Sequence, residues 1–355
     1  MEFGVALATA ADSWKVVKRA EELGFSHAWF YDTQMLCADC FVAMGAAAVQ
    51  TSRIRLGTGV LIPSNRIAPV TANGFASLNR LAPGRIDFGV GTGFTGRRTM
   101  GLGAMKLADM EEYIRVVMGL LAGETMSFEI EGRRQKIAFL NPELALINLA
   151  DPVRLHISAY GPKARALTAR LGAGWINFVG DVPGGVAAMR GMKETWRTAG
   201  QATGEQSAVA FALGCVLQPG EAADGDRAMA QAGPRAAVLL HRAADEALSG
   251  LPNTSPVPAS LAEPVARYVE LARGFEPADA RYLMNHRGHL MAVKDIERSF
   301  VTAEMIRQTT FTGLEDDLIG RIRALRDAGY TQFTIQLAPG QEAAIEDWAR
   351  IKAAV

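Results

Sequence analysis

Short continuous apolar runs alternate along the chain with stretches whose apolar residues recur every three to four positions. Phe3 to Ala8 is the first run; Asp12-Ser13 then offers an N-cap before Trp14, Val16, Val17, Ala20 and Leu23 at helical spacing, and Gly24 ends that helix. His27 to Tyr31 is a second run, followed by a small-residue helix over Ala38 to Gln50 and a third run over Ile54 to Val60. Val70 to Leu81 reads as a helix stopped by Pro83-Gly84, and Ile86 to Val90 as a fourth strand. The spacing of these strands matches the roughly 30 residues of a βα unit. Strands covered on both faces should be continuously apolar, and Arg55 and Asp87 are the exceptions.

A longer interval follows, with a loop through Arg97 and Arg98, a helix over Met110 to Leu121, and a hairpin within Met126 to Leu140 turning at Glu131-Gly132. Regular rhythm resumes with strands at Leu155 to Ser158, Trp175 to Phe178 and Ala208 to Leu217, separated by helices over Lys163 to Leu171 and Val186 to Ala199. The eighth strand is Gln332 to Leu337, after a helix over Leu314 to Ala328 that Thr312 and Glu315 could open as a capping box. Eight strands predict an α/β fold closed as a (β/α)8 TIM barrel, with insertions after strand 4 and between strands 7 and 8. The whole of residues 1–355 forms one domain in this reading, its larger insertion covering about 220–310 and holding a Pro- and Ser-rich loop from Pro252 to Pro264. Ligands of such a barrel bind at the C-terminal ends of the strands.

Composition narrows the function. The chain is 49% hydrophobic and 21% charged, enough for a sizeable core, and its 37 basic and 37 acidic residues leave no net field to attract nucleic acid or an anionic membrane. Three cysteines, Cys37, Cys40 and Cys215, cannot complete a disulfide framework and suit a reducing cytoplasm. No signal peptide and no membrane span are expected.

Several segments carry candidate chemistry. Gly91-Thr92-Gly93-Phe94-Thr95-Gly96 has the G-x-G-x-x-G spacing of a dinucleotide fingerprint, but three βα units precede it and no helix is expected to open at once, so it is read as a loop over a strand end that faces the ligand. Cys37-Ala38-Asp39-Cys40 has the spacing of a redox pair but ordinary apolar flanks, and is read as structural. His286-Arg287-Gly288-His289 shows no third ligand and no neighbouring carboxylate, so no metal is expected; His289 is instead a candidate proton carrier over the barrel mouth. Gly161, Pro162 and Lys163, after Tyr160, open a helix whose bare N–H groups and dipole make an anion site. Thr58-Gly59-Val60 ends the third strand, where a glycine lets a planar ring approach the backbone.

Together with Ala20 to Phe25, Trp29 to Asp32, Ser52 to Val60, Ala76 to Arg85, Gly89 to Gly93, Ser158 to Ala164 and Phe311 to Gly313, these segments resemble the bacterial luciferase-like superfamily. Within it, the branch of methylenetetrahydromethanopterin reductase and other F420-dependent oxidoreductases is the most similar. The resemblance implies F420 or FMN in the barrel mouth, a small-molecule substrate, and a homodimer or higher homo-oligomer. It implies that Thr58, Gly59 and Val60 form a bulge behind the ring, often with a cis peptide. Gly91, Tyr160, Gly161, Pro162, Lys163, Val179 and Gly180 would complete the cofactor site, with Asp32 and Gln34 as catalytic companions of His289. Thr33 stands where many relatives have histidine, and His289 is taken as the candidate replacement, with Gln34 as its hydrogen-bonding companion. The favoured activity is hydride transfer from reduced F420 to a small organic substrate. The alternatives are a reduced-FMN monooxygenase using O2 and a non-catalytic flavin-binding protein.

Overall fold

In a computed structural model that describes residues 1–252 and 257–355, eight parallel strands close into a barrel. They are Glu2–Leu7, His27–Phe30, Arg55–Thr58, Ile86–Val90, Arg154–Ser158, Gly174–Phe178, Ala208–Leu213 and Gln332–Leu337, each hydrogen-bonded to its neighbour in sequence, the last pairing with the first. The expected closure holds because each run is largely buried on both faces and mostly apolar, the eighth strand alternating with buried Gln332, Thr334 and Gln336. Val5, Leu56, Phe88, Ile157, Trp175, Phe333 and Ile335 have no exposed surface, and the barrel strands are wrapped by α1 (Trp14–Glu22), α2 (Cys40–Gln50), α3 (Ala68–Leu81) and their later counterparts.

The two polar exceptions explain each other. Arg55 donates from Nη2 and Nε to the two oxygens of Asp87 at 2.6 and 2.9 Å, a bidentate pair between adjacent strands with Asp87 fully buried. His27 lies beside it, Nε2 3.7 Å from Asp87 Oδ2, and stacks on Trp29. Burial, opposed by the Asp87 charge, pushes the His27 imidazole down from 6.5 to about 4, and burial shifts His156 the same way. The unfolded chain therefore binds a proton at position 27 between pH 6.5 and 4 that the folded chain does not, so stability falls as pH drops through that window. The loss from His27 is about 3 kcal/mol. Urea unfolding at stepped pH reads it, and His27→Asn flattens the slope; an unchanged slope would contradict the assignment.

The excursion after the fourth strand contains α4 (Phe94–Arg98), α5 (Leu107–Leu121) and a hairpin of Met126–Ile130 with Arg133–Ile137, turning at Glu131-Gly132, both at positive φ as a two-residue hairpin loop requires. The second excursion packs α8 (Asp226–Ala236), α9 (Val238–Ser249), α10 (Ala262–Arg273), α11 (Tyr282–His286) and α12 (Ala303–Thr309) around Tyr268 and Phe300, a core separate from that of the barrel. Residues 253–256 of the expected Pro252 to Pro264 loop lie outside the described residues. Three local expectations fail. Ser13 makes no cap to α1, because its Oγ accepts from Ala10 N–H instead. Thr312 does not open α13 (Glu315–Ala328), since its Oγ1 accepts from Cys215 N–H and bonds Thr310. A helix does follow Gly93 at once, although α4 has only five residues. Among the described residues, no helix is long and apolar enough to cross a membrane.

Candidate active site

At the C-terminal ends of the strands, roofed by the second excursion, lies a cavity of about 500 Å³. That is an ordinary volume for a cofactor or substrate pocket. Val60, Ile176, Phe178 and Phe211 supply its apolar barrel wall, and Arg235, Arg242, His289 and Leu290 come from the roof. Roof and barrel are joined through Gln336, which accepts from the Tyr31 hydroxyl and donates from Nε2 to Leu290 O at 2.7 Å. Burial pushes the Tyr31 phenol well above its ordinary value, so it keeps its proton.

Of the residues expected at the site, Gly59, Val60, Gly91, Tyr160, Gly161 and His289 line the cavity. The Gly59–Val60 peptide is cis, as the resemblance implied. Close packing dictates glycine at two of these positions: a Cβ on Gly59 would meet Trp29 Cβ at 2.8 Å, and one on Gly91 would meet Val60 Cγ2 at 2.8 Å. Gly161 differs. A Cβ there would touch nothing within 4 Å, so its bare backbone faces open space. No side chain caps α6 (Pro162–Arg170), which Gly161 precedes, and the N–H groups of its first turn stay available to an anion.

Other expected residues do not line the cavity. The Asp32 carboxylate is consumed in holding the following loop, accepting from Ile62 N–H at 3.0 Å and Asn65 Nδ2 at 3.2 Å and pairing with Arg66 at 2.7 Å. Gln34 is likewise engaged, donating to Gly96 O and accepting from Asn65. Both side chains hold the neighbouring loops and neither lines the cavity. Thr58 is buried with its hydroxyl on Gly89 O, Val179 is buried with its N–H on Phe211 O, and Gly180 abuts the Thr309 backbone. Pro162 and Lys163 are exposed on the rim beside Gly161. Cys37 and Cys40 are free thiols that burial pushes upward, Cys37 to about 11, which leaves them unactivated.

Sequence reasoning missed the roof arginines. Arg235 lies over the Phe178 ring at 4.8 Å and Arg242 over Phe94 at 4.7 Å, and they are the charged side chains lining the cavity, with histidine the only other ionisable base and no acidic residue among the described lining. Arg235 Nε is buried without a hydrogen-bond partner among the described residues. Burial and the Arg242 charge push its guanidinium down to about 10, still cationic at neutral pH. Their seven-residue spacing, two helical turns, was the available signal.

The sequence expectation that His289 has no third imidazole and no carboxylate nearby also fails. His241 on α9 lies 48 residues upstream, its Nδ1 2.7 Å from His289 Nδ1, while His286 Nδ1 is 3.3 Å from the same atom. Glu297 and Asp245 stand behind His241 and His286. Burial opposes the charge on Glu297, yet His241 and Lys294 hold its carboxyl down to about 2.

A family model described as luciferase-like monooxygenase matches residues 4–332. The chain belongs to that family. Along nearly its full length it is 26% identical to the 5,10-methylenetetrahydromethanopterin reductase of Methanolobus tindarius, over 356 aligned positions covering 98% of each chain. A shorter match, 37% identical over 141 residues, relates it to the F420-dependent glucose-6-phosphate dehydrogenase of Beutenbergia cavernae, covering 38% of this luciferase-like chain and 40% of that relative. The chain thus spans about two-fifths of the length of the dehydrogenases it matches. Among solved structures, the F420-dependent tetrahydromethanopterin reductase of Methanopyrus kandleri superposes with a TM-score of 0.71 at 20% identity, covering 98% of this chain and 97% of that one. That likeness establishes the shared barrel.

Proposed function

We propose that this luciferase-like chain is an F420-dependent oxidoreductase that transfers hydride to a small organic substrate bearing an anionic group. One observation carries the reading. A single cavity joins an apolar barrel wall to an uncapped helix start at Gly161 on one side and two arginines on the other, with no acidic residue among the described lining. The residues fit a phosphorylated tricyclic cofactor: Val60, Ile176 and Phe211 would cover its ring, and Gly161 with the N–H groups of α6 would take its phosphate. The near-full-length likeness to a methylenetetrahydromethanopterin reductase supports F420 over FMN.

When bound, the deazaflavin supplies the hydride. The chain's own task is then to exclude water, orient the substrate and place a proton. Val238, Leu290 and Met291 line the roof side of the cavity, Arg235 and Arg242 would draw in the substrate's anionic end, and His289, its Nε2 3.5 Å from Thr95 Oγ1, is the imidazole on the wall, kept neutral by burial and by its His241 and His286 neighbours. Asp32 and Gln34 act by positioning the loops at Ile62 and Gly96.

Reduced F420 and reduced FMN, supplied separately, test this. The proposal expects anaerobic reoxidation of reduced F420 by an electrophilic acceptor and no oxygen uptake with reduced FMN. Oxygen uptake with FMN would favour the monooxygenase reading, and binding without turnover of either would favour a flavin-binding protein.

The proposed homodimer would cover Val42 and Val49 of α2 and Val70 of α3, large apolar side chains left exposed on adjacent helices that meet through Phe41 and Phe75. Sedimentation velocity at micromolar concentration should show a dimer, and Val42→Glu with Val70→Glu a monomer; a wild-type monomer would remove this part of the proposal.

A further inference from the structure

The three imidazoles in the roof meet through nitrogens whose protonation the fold assigns. His241, His286 and His289 are all buried, and their candidate ligand nitrogens lie within 4.8 Å of one another. The outer edges of two rings rest on carboxylates: His241 Nε2 lies 2.6 Å from Glu297 Oε1, and His286 Nε2 lies 2.9 Å from Asp245 Oδ1. An ionised carboxylate only accepts, so each of those Nε2 atoms donates, and in the neutral imidazole the Nδ1 atom is left with a bare lone pair. Both lone pairs are turned toward His289 Nδ1, at 2.7 and 3.3 Å.

The carboxylates cannot swing away, because each has further partners. Glu297 also takes Lys294 Nζ at 2.5 Å and Tyr268 OH at 2.9 Å, and Asp245 takes Arg98 Nη1 at 2.5 Å and Asn285 Nδ2 at 2.9 Å. The convergence of the nitrogens therefore comes from a rigid surround of five helical or turn segments. One proton on His289 Nδ1 can satisfy His241 but leaves His286 Nδ1 at the margin of hydrogen-bond distance. A metal ion would satisfy all three.

We propose that His241, His286 and His289 form a binding site for a divalent transition-metal ion of the zinc type. Three imidazoles with no thiolate suit zinc among the ions such donors take, and histidine ligands whose second nitrogen donates to a carboxylate are the usual way a protein fixes ring and tautomer at a metal. Zinc–nitrogen bonds of about 2.0–2.1 Å in tetrahedral array put ligand nitrogens roughly 3.3 Å apart. The His286–His289 separation already matches, and the His241–His289 pair opens by roughly half an ångström. Three protein ligands leave a fourth position for water or substrate. Of the three histidines only His289 lines the cavity, its Nε2 edge beside Thr95, so an ion on the Nδ1 atoms would sit behind that ring, one imidazole removed from the proposed substrate space. Metal on Nδ1 would also leave the proton of His289 on Nε2, the edge beside Thr95. The site stands on the histidine geometry alone and holds whichever redox cofactor the barrel takes.

The test uses the untagged full chain, stripped by a chelator and titrated with Zn²⁺ against a chromophoric competitor, with Co²⁺ as a spectroscopic probe. The proposal expects one Zn²⁺ per chain, visible Co²⁺ absorption of a nitrogen-coordinated four-coordinate ion, and a thermal midpoint raised by about 5 °C or more at saturating metal. His241→Asn should abolish the Co²⁺ absorption, and Glu297→Gln should weaken Zn²⁺ binding by about 10- to 100-fold while keeping one equivalent. Failure of the wild-type chain to take up either ion would overturn the proposal without any reference to the variants. So would one equivalent bound equally well by a folded His241→Asn chain, which would put the ion elsewhere.

Discussion

Replacing Arg55 with Met lowers the unfolding free energy by about 3–5 kcal/mol, because it leaves the Asp87 carboxylate buried without its bidentate partner. Asp87 has no exposed surface, and once Nη2 and Nε of Arg55 are gone its nearest cationic candidate is His27 Nε2, 3.7 Å away and held neutral by burial. Arg55 also donates to Gly84 O and Ile86 O, so the turn entering the fourth strand loosens with it. The paired change, Arg55→Met with Asp87→Leu, should recover most of the loss, since two apolar side chains leave no uncompensated charge. Urea denaturation of both single variants and the double reads the coupling between them. Additive losses would mean that the pair contributes nothing beyond its separate packing. The strands concerned join below the cavity-lining ends, so ligand binding by the folded Arg55→Met chain should match the wild type.

Arg235→Gln is expected to do the reverse. Its side chain is half-buried on the cavity wall, its buried Nε has no hydrogen bond among the described residues, and its guanidinium is held below its ordinary pKa by burial and by the Arg242 charge. Neutralising it removes a cost from the free protein, so the thermal midpoint should stay the same or rise. A bound anion, however, loses a charge-assisted hydrogen bond worth about 1.5–3 kcal/mol, so substrate KM should rise by about 10- to 100-fold. Arg235→Lys should recover part of the affinity, lacking only the planar fork. A variant with unchanged KM would show that the arginine serves the roof's packing on Phe178 and not ligand recognition. Such opposition between stability and binding is what a group kept for function should show.

Much of the barrel was legible because a strand covered on both faces must be apolar along its length. That rule finds most of the strands, several to within a residue at each end, while the eighth reads by alternation, its Gln332, Thr334 and Gln336 buried among apolar neighbours. Arg55 and Asp87 broke the rule visibly, but nothing local says that they meet, since register between neighbouring strands sets their contact. The capping residues Ser13 and Thr312 were misread for the opposite reason: a short polar side chain has several backbone partners in reach, and tertiary packing chose others. The helix Ile345–Ala354 was missed because the count of strands was already complete at Leu337.

In the site, the glycine-marked strand ends were legible as cavity-lining positions, and at Gly59 and Gly91 close packing on Trp29 and Val60 accounts for the glycine. His241, Arg235 and Arg242 were not, because they belong to a helical excursion whose fold brings together residues far apart in sequence. Asp32 lies beside the expected region, but its carboxylate is engaged by Ile62, Asn65 and Arg66 and does not line the cavity. An acidic residue at a strand end looks the same in sequence whether it meets a substrate or holds Arg66.

The most direct test of the account is a titration of the purified full chain with oxidised F420 and, separately, with FMN, followed by cofactor absorbance and protein fluorescence. The proposal predicts saturation at one F420 per chain at micromolar concentration, about −8 kcal/mol of binding free energy, and no displacement by a similar concentration of FMN. Saturable binding of FMN with none of F420, or of neither, would contradict it.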